Sequence, residues 1–184
     1  MFAREEDILQ AAEDWKKKGR GVALATVVET WGSAPRPVGS NLVIDDQGNF
    51  LGSVSGGCVE GAVVTEALDV IESGKPKTLE FGVADETAWQ VGLPCGGQIK
   101  VFIERLEKGE GLPLVTRALD ARTNRRGIIV RTRLADGRHE VFGRDDKSAD
   151  DAIRQRFESG VDLWLKLASE GGADFARIFA ANYM

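Results

Sequence analysis

The run Val22-Ala23-Leu24-Ala25-Thr26-Val27-Val28 sets the first limit on the fold. A strand with one wet face alternates apolar and polar residues, whereas this one is apolar at nearly every position and needs cover on both faces. A sheet with helices packed on it follows. Residues 3–18 repeat Ile8, Leu9, Ala12 and Trp15 at helical spacing and stop at Gly19. Residues 59–73 line up Val59, Val63, Val64, Ala67, Leu68 and Ile71 as a second stripe, ended by Gly74 and Pro76. Residues 42–44 and 50–54 read as a hairpin around Asp45-Asp46-Gln47-Gly48-Asn49, and further strands are expected over 78–83, 99–103, 127–134, 140–142 and 175–180. Helices are expected over 112–121 and 149–157. The fold class is α/β, with α+β as the alternative: a mixed sheet flanked by helices in a single compact domain. Residues 1–106 form its core, and residues 107–184 a small lobe packed on it.

A net charge of −5 argues against nucleic-acid binding by the surface as a whole. Residues 1–18 are studded with charges, which speaks against a signal peptide, and no apolar run reaches membrane-spanning length. The cytoplasm is then the default location, where the two cysteines, Cys58 and Cys95, stay as thiols. With one histidine, His139, a protein-only zinc site is not expected, and His139 reads as an exposed hairpin residue without chemistry.

Chemistry concentrates in three loops. Gly52-Ser53-Val54-Ser55-Gly56-Gly57-Cys58-Val59-Glu60-Gly61 runs a strand through two glycines and a cysteine into a helix. Glycines let backbone N–H groups approach a ligand, and a helix start favours an anion and a thiolate. Ser55, Gly56, Gly57 and Cys58 thus outline a pocket; the plain alternative is a tight turn beside a small buried cysteine. Glu60 suits the first turn of the helix, through its dipole or as a cap. Val91-Gly92-Leu93-Pro94-Cys95-Gly96-Gly97-Gln98 repeats the cysteine and paired glycines in mirrored order. The third loop is Trp31-Gly32-Ser33-Ala34-Pro35-Arg36-Pro37-Val38-Gly39, where two prolines stiffen the backbone presenting Arg36. Eight arginines against three acids between Arg117 and Arg144 form a basic window, either a solvated face or a docking surface for an acidic partner.

These three blocks, in this order and spacing over about the first 105 residues, resemble the N-terminal domain of the XdhC/CoxI family, accessory factors of molybdenum hydroxylases such as xanthine dehydrogenase and carbon monoxide dehydrogenase. The resemblance implies a maturation chaperone rather than a turnover enzyme. Such a protein holds molybdenum cofactor as cargo, assists its sulfuration or insertion, and serves an apo molybdenum hydroxylase, with a cysteine desulfurase as a further partner. It assigns cofactor binding to Ser33, Arg36, Ser55, Gly56, Gly57 and Cys58, and also to Glu60, Cys95, Gly96 and Gly97. Cys58 and Cys95 are its candidates for a sulfur relay or a molybdenum contact. Many relatives carry a Rossmann-like domain after this one; the expectation here is that this chain has none, that a separate partner protein supplies it, and that a homodimer is compatible. The rival readings are a thiol-dependent enzyme with Cys58 as nucleophile or redox centre, and an interaction module using the arginine face.

Overall fold

The computed structural model describes residues 5–82, 97–106, 111–151, 153–154, 157, 165–169 and 172–179. The chain divides into two compact units, Met1–Glu107 and Lys108–Met184.

In the first unit the apolar run becomes β1 (Val22–Trp31), buried from Val22 to Val28. It is the central strand of a five-stranded sheet. On one side lie β2 (Asn41–Asp45) and then β3 (Phe50–Gly52); on the other lie β5 (Gln98–Arg105) and then β4 (Lys77–Phe81). Ala23, Ala25 and Val27 share one core with Leu42, Ile44, Val101 and Ile103, covered by Val63, Ala67, Val70 and Ile71 of α2 (Glu60–Ser73). The alternate positions Val22, Leu24 and Val43 are also buried. α1 (Glu5–Lys17) packs on β1, β2 and β3 and buries Ile8, Leu9 and Ala12. The double cover demanded by the sequence is therefore real.

Every strand pairing among the described residues is antiparallel, so α+β is the form realised and the mixed sheet is not. Short connections explain two of these pairs. β1 reaches β2, and β2 reaches β3, through loops too short for the crossover that a parallel pair needs. The β2–β3 turn is held by Asp45, fully buried, which accepts from the backbone N–H groups of Gln47 (3.0 Å) and Asn49 (2.9 Å) and pairs with Arg20. Burial would raise the Asp45 carboxyl, but its bonds to Asn49, Arg20 and Gln47 outweigh that and lower it.

The stripe on α2 differs from its expected course. Val70 is buried and Leu68 is 37% exposed. At about 100° per residue, Val63, Ala67, Val70 and Ile71 fall on one face and Leu68 on its margin. Leu68→Ala is expected to move stability by less than about 0.5 kcal/mol, whereas Val63→Ala should cost about 1 kcal/mol or more in a urea titration.

The second unit has its own antiparallel sheet, formed by β6 (Ile128–Arg133), β7 (His139–Gly143), β8 (Leu165–Ser169) and β9 (Gly172–Phe179) in the order β7-β6-β9-β8. α3 (Gly111–Thr123) packs on β6, β7 and β9. β8 has no counterpart among the expected strands. Ile129, Phe142, Ala149, Ile153 and Phe157 make a small core. His139 is half-buried rather than exposed, because it opens β7 and its Nδ1 meets the Thr132 hydroxyl at 2.9 Å.

Among the arginines of the basic window, Arg131 binds Glu140 (2.6 Å) and Asp150 (2.8 Å), Arg126 binds Asp120 (2.9 Å), and Arg133 binds Asp136 (3.1 Å). Much of that charge is matched within the unit itself. No helix among the described residues is long and apolar enough to cross a membrane.

Candidate functional site

The loops after β1 and β3 and the entry to β5 meet at one end of the five-stranded sheet. β1 slips register against β5 between Val27 and Glu29, a bulge that tightens the twist just before the chain leaves the strand. The loop then folds back, the Gly39 N–H donating to the Val27 carbonyl at 2.7 Å. Its middle touches both other segments. A Cβ placed on Gly97 would lie 2.8 Å from the Ala34 nitrogen and 2.8 Å from the Ser33 carbonyl carbon, so only glycine lets these backbones approach. A Cβ on Gly56 would sit 3.7 Å from Cβ of Pro35. Ser33 and Pro35 are exposed there and Arg36 is half-buried.

The turn after β3 is built around Glu60. Gly56 and Gly57 take φ of 77° and 113°, left-handed conformations that turn the chain so that the N–H groups of Val54, Ser55 and Gly57 face one point. That point holds the carboxylate of Glu60, which is only 7% exposed. Its Oε1 accepts from the Ser53 hydroxyl (2.6 Å) and from the N–H groups of Val54 (3.1 Å) and Ser55 (2.9 Å). Its Oε2 accepts from the Ser55 hydroxyl and the Gly57 N–H (2.9 Å). The Gly56 N–H donates to Ser53 Oγ (2.8 Å) and the Val59 N–H to Ser55 Oγ (2.9 Å). Burial alone would raise the Glu60 carboxyl, but the Ser53 and Ser55 hydroxyls and the backbone donors lower it from 4.5 to about 2.

These bonds change the reading of the turn. The N–H groups of Ser55, Gly56 and Gly57, expected to face a ligand phosphate, are committed inside the protein. Glu60 is neither a dipole partner at the surface nor a proton acceptor near neutral pH. Cys58, by contrast, is exposed and unbridged, so the buried inert cysteine of the plain alternative is not what this turn contains. Cys95 and Gly96 lie outside the described residues.

Two residues of the site carry no signal in the sequence patterns. Ser53 is a working part of the turn, and Trp31 stands 47% exposed where β1 enters its loop, with Lys100 Nζ 5.9 Å from the ring centroid. A capping-box search would miss the Ser53–Glu60 arrangement, because Glu60 is the first helical residue rather than the third.

The loop presenting Arg36, the Cys58 turn and Gly97, which meet here, belong to the blocks on which the sequence resemblance rests, and residues 15–82 match the model of the XdhC and CoxI family. Over 116 residues, 62% of this chain, the protein is 37% identical to the molybdenum cofactor insertion chaperone PaoD of Escherichia coli (strain K12), of which it spans 36%. Over 86 residues, 45% of the chain, it is 34% identical to a probable xanthine dehydrogenase subunit of Bacillus subtilis (strain 168), of which it spans 26%. The chain thus covers about a third or less of these curated relatives. A crystal structure described as a xanthine dehydrogenase from Bacillus halodurans superposes with a TM-score of 0.64 over 94% of this chain and 52% of that one; at 19% identity it shows a shared fold. The matched segment contains Ser33, Arg36 and the whole Cys58 turn, and ends at Gly82, where a Cβ would lie 2.2 Å from the Gly97 carbonyl oxygen.

Proposed function

We propose that this protein is a molybdenum cofactor maturation factor that holds the cofactor and assists its sulfuration or insertion into a hydroxylase of the xanthine dehydrogenase or carbon monoxide dehydrogenase type. The observation behind this reading is that an exposed, unbridged Cys58 sits on a rigid turn whose neighbour Gly56 approaches Pro35, in a segment matching the XdhC and CoxI family. The similarity to PaoD supports the choice of cargo.

The donor set fits such a guest. A thiolate is a soft ligand suited to a sulfur-rich molybdenum centre, and Cys58 is open to approach. Arg36 and Ser33 supply a cation and a hydroxyl on the adjoining loop for a phosphate, a task that the Ser55–Gly57 backbone leaves to them. Gly97 keeps the entry to β5 tight against that loop, and Cys95 and Gly96, adjoining it in sequence, complete the proposed set. Sulfuration would use a cysteine desulfurase: the sulfane sulfur of its persulfide passes to the Cys58 or Cys95 thiolate, and the desulfurase cysteine leaves as thiolate. We assign the protein to the cytoplasm, with the apo-hydroxylase as its client; a Rossmann-like partner subunit and a homodimer belong to the same proposal.

The test is reconstitution of an apo-hydroxylase with molybdenum cofactor, with and without this protein. A raised active fraction of enzyme is expected. An unchanged fraction with apo-enzymes of both types would contradict the reading.

A further inference from the structure

Building on the reading of Cys58 as the thiol that meets the cargo, we propose that Glu60 is a positioning residue: its carboxylate fills the anion-binding turn that runs from Ser53 to Gly57 and so fixes the backbone at Cys58 on the exposed lip of the site. A turn of this kind ordinarily waits for an external phosphate or carboxylate. Here the anion is tethered to the same chain, two residues beyond the cysteine.

The hydrogen bonds show why the thiol is the beneficiary. The residues on both sides of Cys58 are held through their N–H groups, Gly57 on Glu60 Oε2 and Val59 on Ser55 Oγ. Ser55 is in turn bound to Glu60 through its own hydroxyl and N–H. The backbone at Cys58 is therefore clamped through groups that all lead to one carboxylate, while the side chain stays exposed. Only its χ1 torsion is left to set, so the Cα–Cβ direction is fixed before a ligand arrives and the sulfur has few positions to choose from. Ser53 ties the far end of the turn to the same group. Glu60 itself, buried with both oxygens engaged, does not reach the cargo.

The two carboxylate oxygens give separable predictions. Glu60→Gln retains an Oε1 acceptor for Ser53, Val54 and Ser55, but turns an amide NH2 toward the Gly57 N–H, donor against donor, and loosens the turn beside Cys58. Glu60→Ala empties the nest, and formate is small enough to occupy it. The experiment measures three things on wild type and both variants, with and without added formate, chloride at equal ionic strength serving as control. They are melting temperature, alkylation rate of Cys58 by iodoacetamide read on its own peptide by mass spectrometry, and retention of molybdenum cofactor on gel filtration.

In Glu60→Ala, retention is expected to fall about tenfold or more and the alkylation rate to shift several-fold, with formate and not chloride returning both toward wild type. Glu60→Gln should show the same two changes, smaller, with little response to formate. Should Glu60→Ala fail to fold, Glu60→Gln decides alone. Folded variants with wild-type alkylation and retention would overturn the assignment, as would losses in Glu60→Ala that formate leaves untouched. A wild-type protein that holds no cofactor, yet shows the alkylation shift and its formate rescue, would remove the maturation reading and leave the positioning of Cys58 standing.

Discussion

Gly97→Ala is expected to separate the loops of the site and to weaken cofactor retention by about tenfold or more. The new methyl would meet the Ala34 nitrogen and the Ser33 carbonyl carbon at 2.8 Å, and the Ser33 oxygen at 3.0 Å. These are backbone atoms in a loop stiffened by Pro35 and Pro37, so no side chain can swing aside to make room. On its other side Gly97 is already closely packed, since a Cβ built on Gly82 would lie only 2.2 Å from the Gly97 carbonyl oxygen. Overpacking of this sort costs about 1–3 kcal/mol. Gly61→Ala is the control: nothing lies within 4 Å of its Cβ position, and a helical alanine should gain up to about 1 kcal/mol over glycine. Equal stability and retention in the Gly97 and Gly61 variants would show that the two loops do not depend on each other.

The second large effect is acid sensitivity centred on Glu60. Its folded carboxyl lies at about 2 against an ordinary 4.5, so the folded state binds the proton more weakly than the unfolded chain. Its contribution to stability is complete above pH 4.5 and is lost as the pH falls through 4.5 towards 2. At about 1.4 kcal/mol per unit, the difference amounts to roughly 3 kcal/mol. Asp45, also lowered on folding, adds a loss of the same sign. Urea midpoints measured from pH 7 down to pH 3 should therefore fall for wild type and fall less for Glu60→Gln, which begins lower. Parallel curves for the two proteins would mean that Glu60 titrates alike folded and unfolded.

The legible parts of the chain are those fixed by local chemistry. The apolar run at Val22–Val28 announces a doubly covered strand, Asp45 and Gly48 announce the hairpin turn, and Gly74 marks the end of α2, where it adopts φ of 70° and caps the Val70 carbonyl. Leu68 is misplaced by the pattern because a margin residue fits a stripe of apolar spacing as well as a central one does. The antiparallel sheet is hidden because a run covered on both faces reads the same in either pairing direction. At the site, the residue types are visible and the direction of their bonds is not. A glycine pair before a helix advertises an anion-binding turn, yet only the three-dimensional closure of the turn reveals that Glu60 supplies the anion.

Retention of molybdenum cofactor by wild type and by Cys58→Ala, mixed at equal concentrations and resolved by gel filtration with molybdenum and pterin both assayed, is the deciding comparison. Wild type is predicted to co-elute with both, and Cys58→Ala to lose about nine-tenths or more of them while melting at the same temperature, since the exposed side chain contributes little to stability. Cofactor eluting apart from folded wild-type protein, or equal retention by the two, would contradict a site in which the Cys58 turn receives the guest.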